Sequence, residues 1–135
     1  MFLDRVRCGE VRDWMTRKPA TISPSCSMGS AMSRMRRSRI RHLLVVDAGQ
    51  LVGVVSHRDW SRMPMGAAAR GWENLPVTRI MTDDPVTVAP EMLVADAARV
   101  LLERKIGCLP VRDGGTICGI LTVSDALEAL LSAMR

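Results

Sequence analysis

Aromatic rings are almost absent from this chain: one Phe, three Trp and no Tyr in 135 residues. That excludes a stacking platform for single-stranded nucleic acid, which needs rows of rings. Histidine is equally sparse, with two, and the four cysteines (Cys8, Cys26, Cys108 and Cys118) form no C-x-x-C pair. Both facts argue against a zinc site, and no metal ligand is assigned. No run of about 18 apolar residues exists, so no membrane-spanning helix is expected. The start, Met1-Phe2-Leu3-Asp4-Arg5-Val6-Arg7, is charged throughout and lacks the apolar core of a secretion signal. The cysteines are therefore expected as reduced thiols in the cytoplasm, with Cys108 and Cys118 as small apolar filler. Acidic residues are the minority, 14 against 19 basic, for a net charge of +5. Such an excess favours an anionic partner: nucleotide, nucleic acid or anionic lipid.

What is present is ordinary globular composition, 47% hydrophobic and 24% charged. A chain of this length buries roughly two-thirds of its unfolded surface, so no disulfide or metal staple is required.

The chain repeats itself. Shifted by 66 positions, residues 11–63 align with 77–129 without a gap. Identical pairs run from Val11/Val77, Met15/Met81, Thr16/Thr82, Pro19/Pro85 and Thr21/Thr87 through Leu43/Leu109, Val45/Val111 and Asp47/Asp113 to Gly53/Gly119 and Asp59/Asp125. Matched Pro, Gly and Asp are punctuation that chance hydrophobic similarity does not place in register. Each copy opens with a Pro-bounded extended piece, Pro19–Ile22 or Pro85–Val88. A helix follows: Val94, Ala97, Ala98, Leu101 and Leu102 share one face in the second copy, and Met28, Ala31, Met32 and Met35 do so in the first. Two apolar strands come next, Leu43–Val46 with Leu51–Val55 and Leu109–Arg112 with Ile117–Leu121, joined by Asp/Gly-rich tight turns. Closing helices are predicted over about 57–63 and 124–133. The unit is β-α-β-β-α, and the fold class α/β. The expected organisation is a lead over 1–10, a repeat over 11–63, a linker over 64–76 holding the short alanine run Ala67–Ala69, and a repeat over 77–135. One unit of such size is marginal alone, so the copies are expected to pack through their sheets about a pseudo-twofold axis.

The most informative matched segment is Gly53-Val54-Val55-Ser56-His57-Arg58-Asp59 with Gly119-Ile120-Leu121-Thr122-Val123-Ser124-Asp125. Both read glycine, two apolar residues, a hydroxyl, two variable residues, then Asp. A strand ends at the hydroxyl and a helix begins, so Ser56 and Thr122 sit at or beside an N-cap. Free amides and the positive dipole end there favour an anion. An Asp in the first helical turn can accept the two hydroxyl protons of a ribose diol. The competing reading is purely structural: the hydroxyl caps, and the Asp complements the dipole.

These residues carry a resemblance. Val11-x-x-Trp14-Met15-Thr16 and Val77-x-x-Ile80-Met81-Thr82, Pro19-x-Thr21 and Pro85-x-Thr87, Leu43–Asp47 and Leu109–Asp113, and the two Gly…Ser/Thr…Asp segments resemble a tandem pair of cystathionine-beta-synthase (CBS) domains. Such a pair is called a Bateman module, and the likeness covers about 11–131. It is to the small, free-standing prokaryotic kind. The resemblance implies a regulatory, non-catalytic module that binds AMP, ADP, ATP or S-adenosylmethionine in clefts between the repeats and signals to a partner. It also implies homodimers, and requires no cofactor beyond the regulatory nucleotide. Laid onto this sequence, it puts ribose on Asp59 and Asp125. Phosphate falls to Ser56, Arg58, Arg41 and His42 in one cleft and to Thr122 and Ser124 in the other. Adenine is lined by Ala20, Ile22 and Ile40, and by Val86, Val88 and Ile106. Gly107 and Cys108 replace the basic pair Arg41-His42 in the second copy, so the Asp59 cleft suits a polyphosphate and ranks first.

Two other classes compete. The run Arg34, Arg36, Arg37, Arg39 and Arg41 could hold a nucleic-acid backbone, although no helix-turn-helix or zinc-finger pattern supports sequence readout. Catalysis needs a nucleophile with a base and an orienting acid. Ser56, His57 and Asp59 are neighbours on a turn that point in different directions, and Val123 stands at the His57 position of the other copy. No catalytic residue is assigned. Apolar residues on the last helix (Leu127, Leu130, Leu131, Met134) exceed what one small core needs, which adds a physical motive for the homodimer.

Overall fold

The computed structural model describes residues 8–62 and 70–134. The lead residues Met1–Arg7 and the alanine run Ala67–Ala69 lie outside the described residues.

The expected β-α-β-β-α order is present twice. The first copy has β2 (Thr21–Ile22), helix α2 (Met28–Ser38), and a hairpin of β3 (His42–Asp47) and β4 (Gln50–Ser56). The second has an extended bridge at Val88, helix α3 (Val94–Arg104), and a hairpin of β6 (Cys108–Asp113) and β7 (Thr116–Thr122). Its closing helix is α4 (Val123–Ala133). Ahead of the copies come a short helix α1 (Val11–Trp14) with β1 (Thr16–Arg17), and a 3-10 turn Val77–Arg79 with β5 (Thr82–Asp83).

Duplication reaches the backbone. Both hairpins shift register at aligned positions, between Val45 and Val46 and between Val111 and Arg112. Both α2 and α3 stop at a left-handed residue, Arg39 (φ 55) and Lys105 (φ 55). The first hairpin turns on Ala48 (φ 51) and Gly49 (φ 80), the paired positive φ angles of a two-residue turn matched to strand twist. α2 begins at Ser27, whose side chain accepts from the Ser30 amide, satisfying one of the helix's orphan donors.

The copies differ at their ends. The segment predicted as a helix over 57–63 is a 3-10 turn, His57–Arg62, where its counterpart α4 runs for 11 residues. Pro64 lies just downstream in the first copy and cannot continue a helix. In α4 the buried Ala126 and Ala129 supply an inner face that extends for turns.

The compact units do not follow the repeat boundaries. One unit is Met1–Pro19 with Val86–Arg135, and the other is Ala20–Pro85; they are called the outer and inner units below. In the outer unit β1 joins the sheet of the second copy, order β1-β7-β6, with Thr16 opposite Ile120 and Arg17 opposite Gly119. In the inner unit β5 joins the sheet of the first copy, order β2-β3-β4-β5, with Thr82 opposite Val54 and Asp83 opposite Gly53. The leading segment of each copy has thus been exchanged for that of the other.

Packing explains the two glycines at the seam. A Cβ on Gly119 would meet Met15 Sδ at 2.5 Å and the Thr16 carbonyl at 2.9 Å. One on Gly53 would meet Met81 Sδ at 2.6 Å and the Thr82 carbonyl at 3.0 Å. Only glycine lets the exchanged methionine lie on the strand. The outer core gathers Val11, Val94, Ala97, Leu101, Leu109, Val111 and Leu121. The inner core gathers Ala31, Met35, Leu43, Val45, Val55 and Val77. Trp14 braces the outer core, its Nε1 donating to the Cys8 carbonyl at 2.7 Å.

Candidate functional site

The first-copy site is built at one end of the β3–β4 hairpin. His42 lies opposite Ser56 in the antiparallel register, and the His57 amide donates to the Arg41 carbonyl at 2.8 Å. That pairing sets Arg41 and His42 beside the strand-to-helix turn. The Ser56 amide donates to Asp59 Oδ2 at 2.6 Å, and Ser61 Oγ donates to the Arg58 carbonyl at 2.6 Å. Arg41 and Arg58 are exposed, while Asp59 is 3% exposed. The fold therefore brings Arg41, His42, Ser56, Arg58 and Asp59 together.

The second-copy site repeats the geometry with other chemistry. Cys108 lies opposite Thr122, and the Val123 amide donates to the Gly107 carbonyl at 3.1 Å. Thr122 and Asp125 form a reciprocal capping box: the Thr122 amide to Asp125 Oδ2 at 2.9 Å, and the Asp125 amide to Thr122 Oγ1 at 3.3 Å. Ser124 is exposed in the first turn of α4. Where the first site has Arg41, His42 and Arg58, this one has Gly107, Cys108 and Ser124.

Both aspartates consequently have a structural task. Each holds the amide of the hydroxyl residue three positions back, and that bond fixes the rotamer of the carboxylate. At Thr122/Asp125 the hydroxyl cap and an acid in the first helical turn are both present.

Burial lowers the pKa of His42 below its ordinary value of 6.5; Asp59 opposes the shift, and Arg41 and Arg58 add to it. The lowered value means that the unfolded chain takes up the proton more readily than the folded one. Stability linked to His42 is therefore whole above about pH 6.5 and is lost as pH falls below it. Thermal midpoints measured from pH 7 down to 5 are expected to fall less steeply for His42→Gln than for the parent; equal slopes would remove His42 as the cause. Burial also pushes the Cys8, Cys26 and Cys118 thiols up, away from the thiolate form a nucleophile needs.

The predicted base-lining residues fall in two places. Ala20, Ile22 and Ile40 are partly buried against the inner core. β2 pairs in parallel with β3, Thr21 opposite Leu44 and Ile22 opposite Val45, and the Leu44 amide donates to the Ala20 carbonyl at 3.1 Å. β2 is an edge strand, so its outer backbone groups face away from the sheet, as a hydrogen-bond reader of a base edge requires. In the outer unit Val86 and Ile106 are partly buried against the core, but Val88 is 7% exposed and is a member of it. Val88 is held there by its amide bond to the Pro110 carbonyl and by the Arg112 amide on its own carbonyl. Trp60, which aligns with Ala126 and is expected from the sequence as a packing or dimer-contact residue rather than a base-stacking one, packs against the inner core. Its indole Nε1, next to Asp59 in the chain, is buried without a hydrogen-bond partner among the described residues. The unpaired indole nitrogen is the part that no sequence pattern signalled.

Among the described residues, no group of His, Cys, Asp and Glu gathers to hold a metal ion, and no helix is long and apolar enough to cross a membrane.

The family model of the CBS domain matches twice, over residues 11–65 and 77–132. This chain belongs to the CBS domain family. The CBS domain-containing protein YhcV of Bacillus subtilis (strain 168) is 30% identical over 116 residues, 85% of this chain and 81% of that protein. The crystal structure of the CBS-pair protein CBSX2 from Arabidopsis thaliana, in complex with AMP, superposes with a TM-score of 0.81 at 32% identity, over 94% of this chain and 99% of that one. The CBS domain pair of protein MJ0100, in complex with 5-methylthioadenosine and S-adenosyl-L-methionine, gives 0.79 at 26% identity over 93% and 98%. The α/β architecture of paired CBS repeats expected from the sequence is the one these structures share.

Proposed function

We propose that this CBS pair is a non-catalytic sensor of adenine nucleotides that passes their binding to a partner protein, acting as a homodimer in the cytoplasm. The observation that carries the reading is the matched strand-to-helix turn, ending in Ser56…Asp59 and Thr122…Asp125, in a chain whose structural relatives hold AMP, 5-methylthioadenosine and S-adenosyl-L-methionine. Asp59 and Asp125 take the ribose diol. Each carboxylate is already oriented by the amide it holds, so little rotamer freedom is lost on binding.

The two sites divide the ligands by charge. Ser56, Arg58, Arg41 and His42 meet a phosphate chain, with Ala20, Ile22 and Ile40 against the base. Thr122 and Ser124 offer hydroxyls but no cation, which suits a nucleoside or a monophosphate, with Val86, Ile106 and the rim of Val88 against its base. The apolar stripe of α4, with Leu127 54%, Leu131 60% and Met134 66% exposed, supplies a surface for a second copy. Titration calorimetry with AMP, ATP and S-adenosylmethionine on the full chain is expected to give saturable heat with at least one of them. No heat and no thermal shift at millimolar ligand would overturn the reading, and a monomeric mass by light scattering would remove the dimer.

A further inference from the structure

We infer that the outward face of α2 and the residues just after it dock a short, carboxylate-rich segment of a partner protein. This goes beyond the nucleotide reading and does not depend on it. Arg34, Arg36, Arg37, Arg39 and Arg41 crowd residues 34–41. Met28, Ala31 and Met35 take the inner face of α2 and are buried, which turns Arg36 and Arg37 outward. Those two are exposed, as are Arg39 and Arg41 beyond the helix end; Arg34 is partly so. Among the described residues none of the five has a carboxylate at ion-pair distance. Arg12 does pair with Glu10 at 2.6 Å, and Arg99 with Asp96 at 3.5 Å, both in the outer unit.

The repeat supplies an internal control. α3 has the same length, the same buried face (Val94, Ala97, Leu101) and the same left-handed stop. The residues aligned with the five arginines are Val100, Leu102, Glu103, Lys105 and Gly107. There, Arg104 in the last turn and Lys105 after it complement the helix dipole. Folding of the unit needs no more positive charge than that. The rest of the charge on α2 adds like-charge repulsion without a folding return, so it points to something outside the fold.

The chemistry of the surroundings narrows the partner. Trp60 and Trp72 of the inner unit are both partly buried, so among its described residues this unit offers no exposed ring to stack a base. Among the described residues the inner unit, which carries the run, exposes no large apolar side chain, so it offers no wedge for a bilayer. Exposed Glu73 packs against Gly29 at the opposite end of α2. A long anionic rod laid along the helix runs onto the end that carries this acidic residue, whereas a short acidic segment covers only the arginine end. Guanidinium forks bind carboxylates in pairs of hydrogen bonds, which fits this partner.

The test is fluorescence anisotropy of labelled octaglutamate titrated with the full chain at low ionic strength, with a short DNA duplex in parallel. Saturable binding of octaglutamate is expected, weakened at least about tenfold in Arg36→Gln/Arg37→Gln and in Arg34→Gln/Arg39→Gln, two doubles outside the buried face of α2 that should keep the parent's thermal midpoint. Arg79→Gln, an exposed arginine of the same unit outside the run, is expected to leave it unchanged. Absence of saturable binding, indifference to both doubles, or tighter binding of the duplex than of the peptide would each overturn the proposal, the last in favour of nucleic acid.

Discussion

An Arg58→Ala variant is expected to bind ATP about tenfold more weakly than the parent while holding adenosine within about twofold. The reasoning starts from the turn: the Ser56 amide is committed to Asp59 Oδ2 and the His57 amide to the Arg41 carbonyl. Two of the amides nearest the helix start are therefore unavailable to an anion, and phosphate must be met by side chains. Arg58 and Arg41 are the exposed cations there, and His42 is held toward its neutral form by burial. A hydrogen bond to a charged group contributes about 1.5–3 kcal/mol, or roughly ten- to a hundredfold; exposure of Arg58 puts the effect at the lower end. The loss should shrink as salt is raised, because the pair is solvent-screened. Adenosine lacks the phosphates and so reports the ribose and base contacts alone. The complementary variant, Ser124→Arg, places a guanidinium at the aligned position of the second copy and is expected to strengthen ATP there. Equal losses for ATP and adenosine in Arg58→Ala would move the phosphate chain away from this turn.

Much of the fold was legible because the duplication doubled every signal. The bounds read for the hairpins from apolar runs and Asp/Gly turns fall within one residue of the strands observed. The capping place of Ser56 and Thr122 was equally visible, but the return bond from each hydroxyl residue's amide to Asp59 or Asp125 came only from the structure. The exchange of leading segments was not visible, and the reason is the duplication itself. Val11 and Val77, Met15 and Met81, Thr16 and Thr82 are identical, and each methionine needs only a glycine opposite it, which Gly53 and Gly119 both supply. Identical plugs fit either socket, so sequence says what the segment docks on but not in which copy. The 3-10 form of His57–Arg62 was obscured for another cause. Alignment with α4 carried a helix onto a stretch that the approaching Pro64 shortens. Val88 shows the same limit at the site: its alternating position matches Ile22, but its 7% exposure is set by packing across the sheet, which local pattern does not encode.

That exchange leads to the largest expected effect on stability. Val11 and Val77 are aligned, chemically identical and both 0% exposed, yet Val11 lies in the outer core and Val77 in the inner core. Val11→Asp puts an uncompensated charge into a packed apolar cluster, which costs about 3–5 kcal/mol, a large share of the stability of a small domain. The Val11 amide donates to the Met92 carbonyl at 2.8 Å and the Arg12 amide to the Pro90 carbonyl at 2.9 Å, so displacing the segment also strips backbone bonds from the outer unit. Hydrogen exchange on Val11→Asp is expected to show protection lost across Cys108–Asp113 and Thr116–Thr122, the strands of the second copy, although the change lies in the first. Val77→Asp should do the reverse. The Val77 amide donates to the Cys26 carbonyl at 2.9 Å and the Met28 amide to the Leu75 carbonyl at 2.7 Å, so the loss should fall on His42–Asp47 and Gln50–Ser56. A repeat that folded on its own leading segment would give the opposite pair of patterns, each variant loosening the strands of its own copy. The two maps together therefore decide whether the chain is two beads on a string or two halves each closed by a segment borrowed from the other copy.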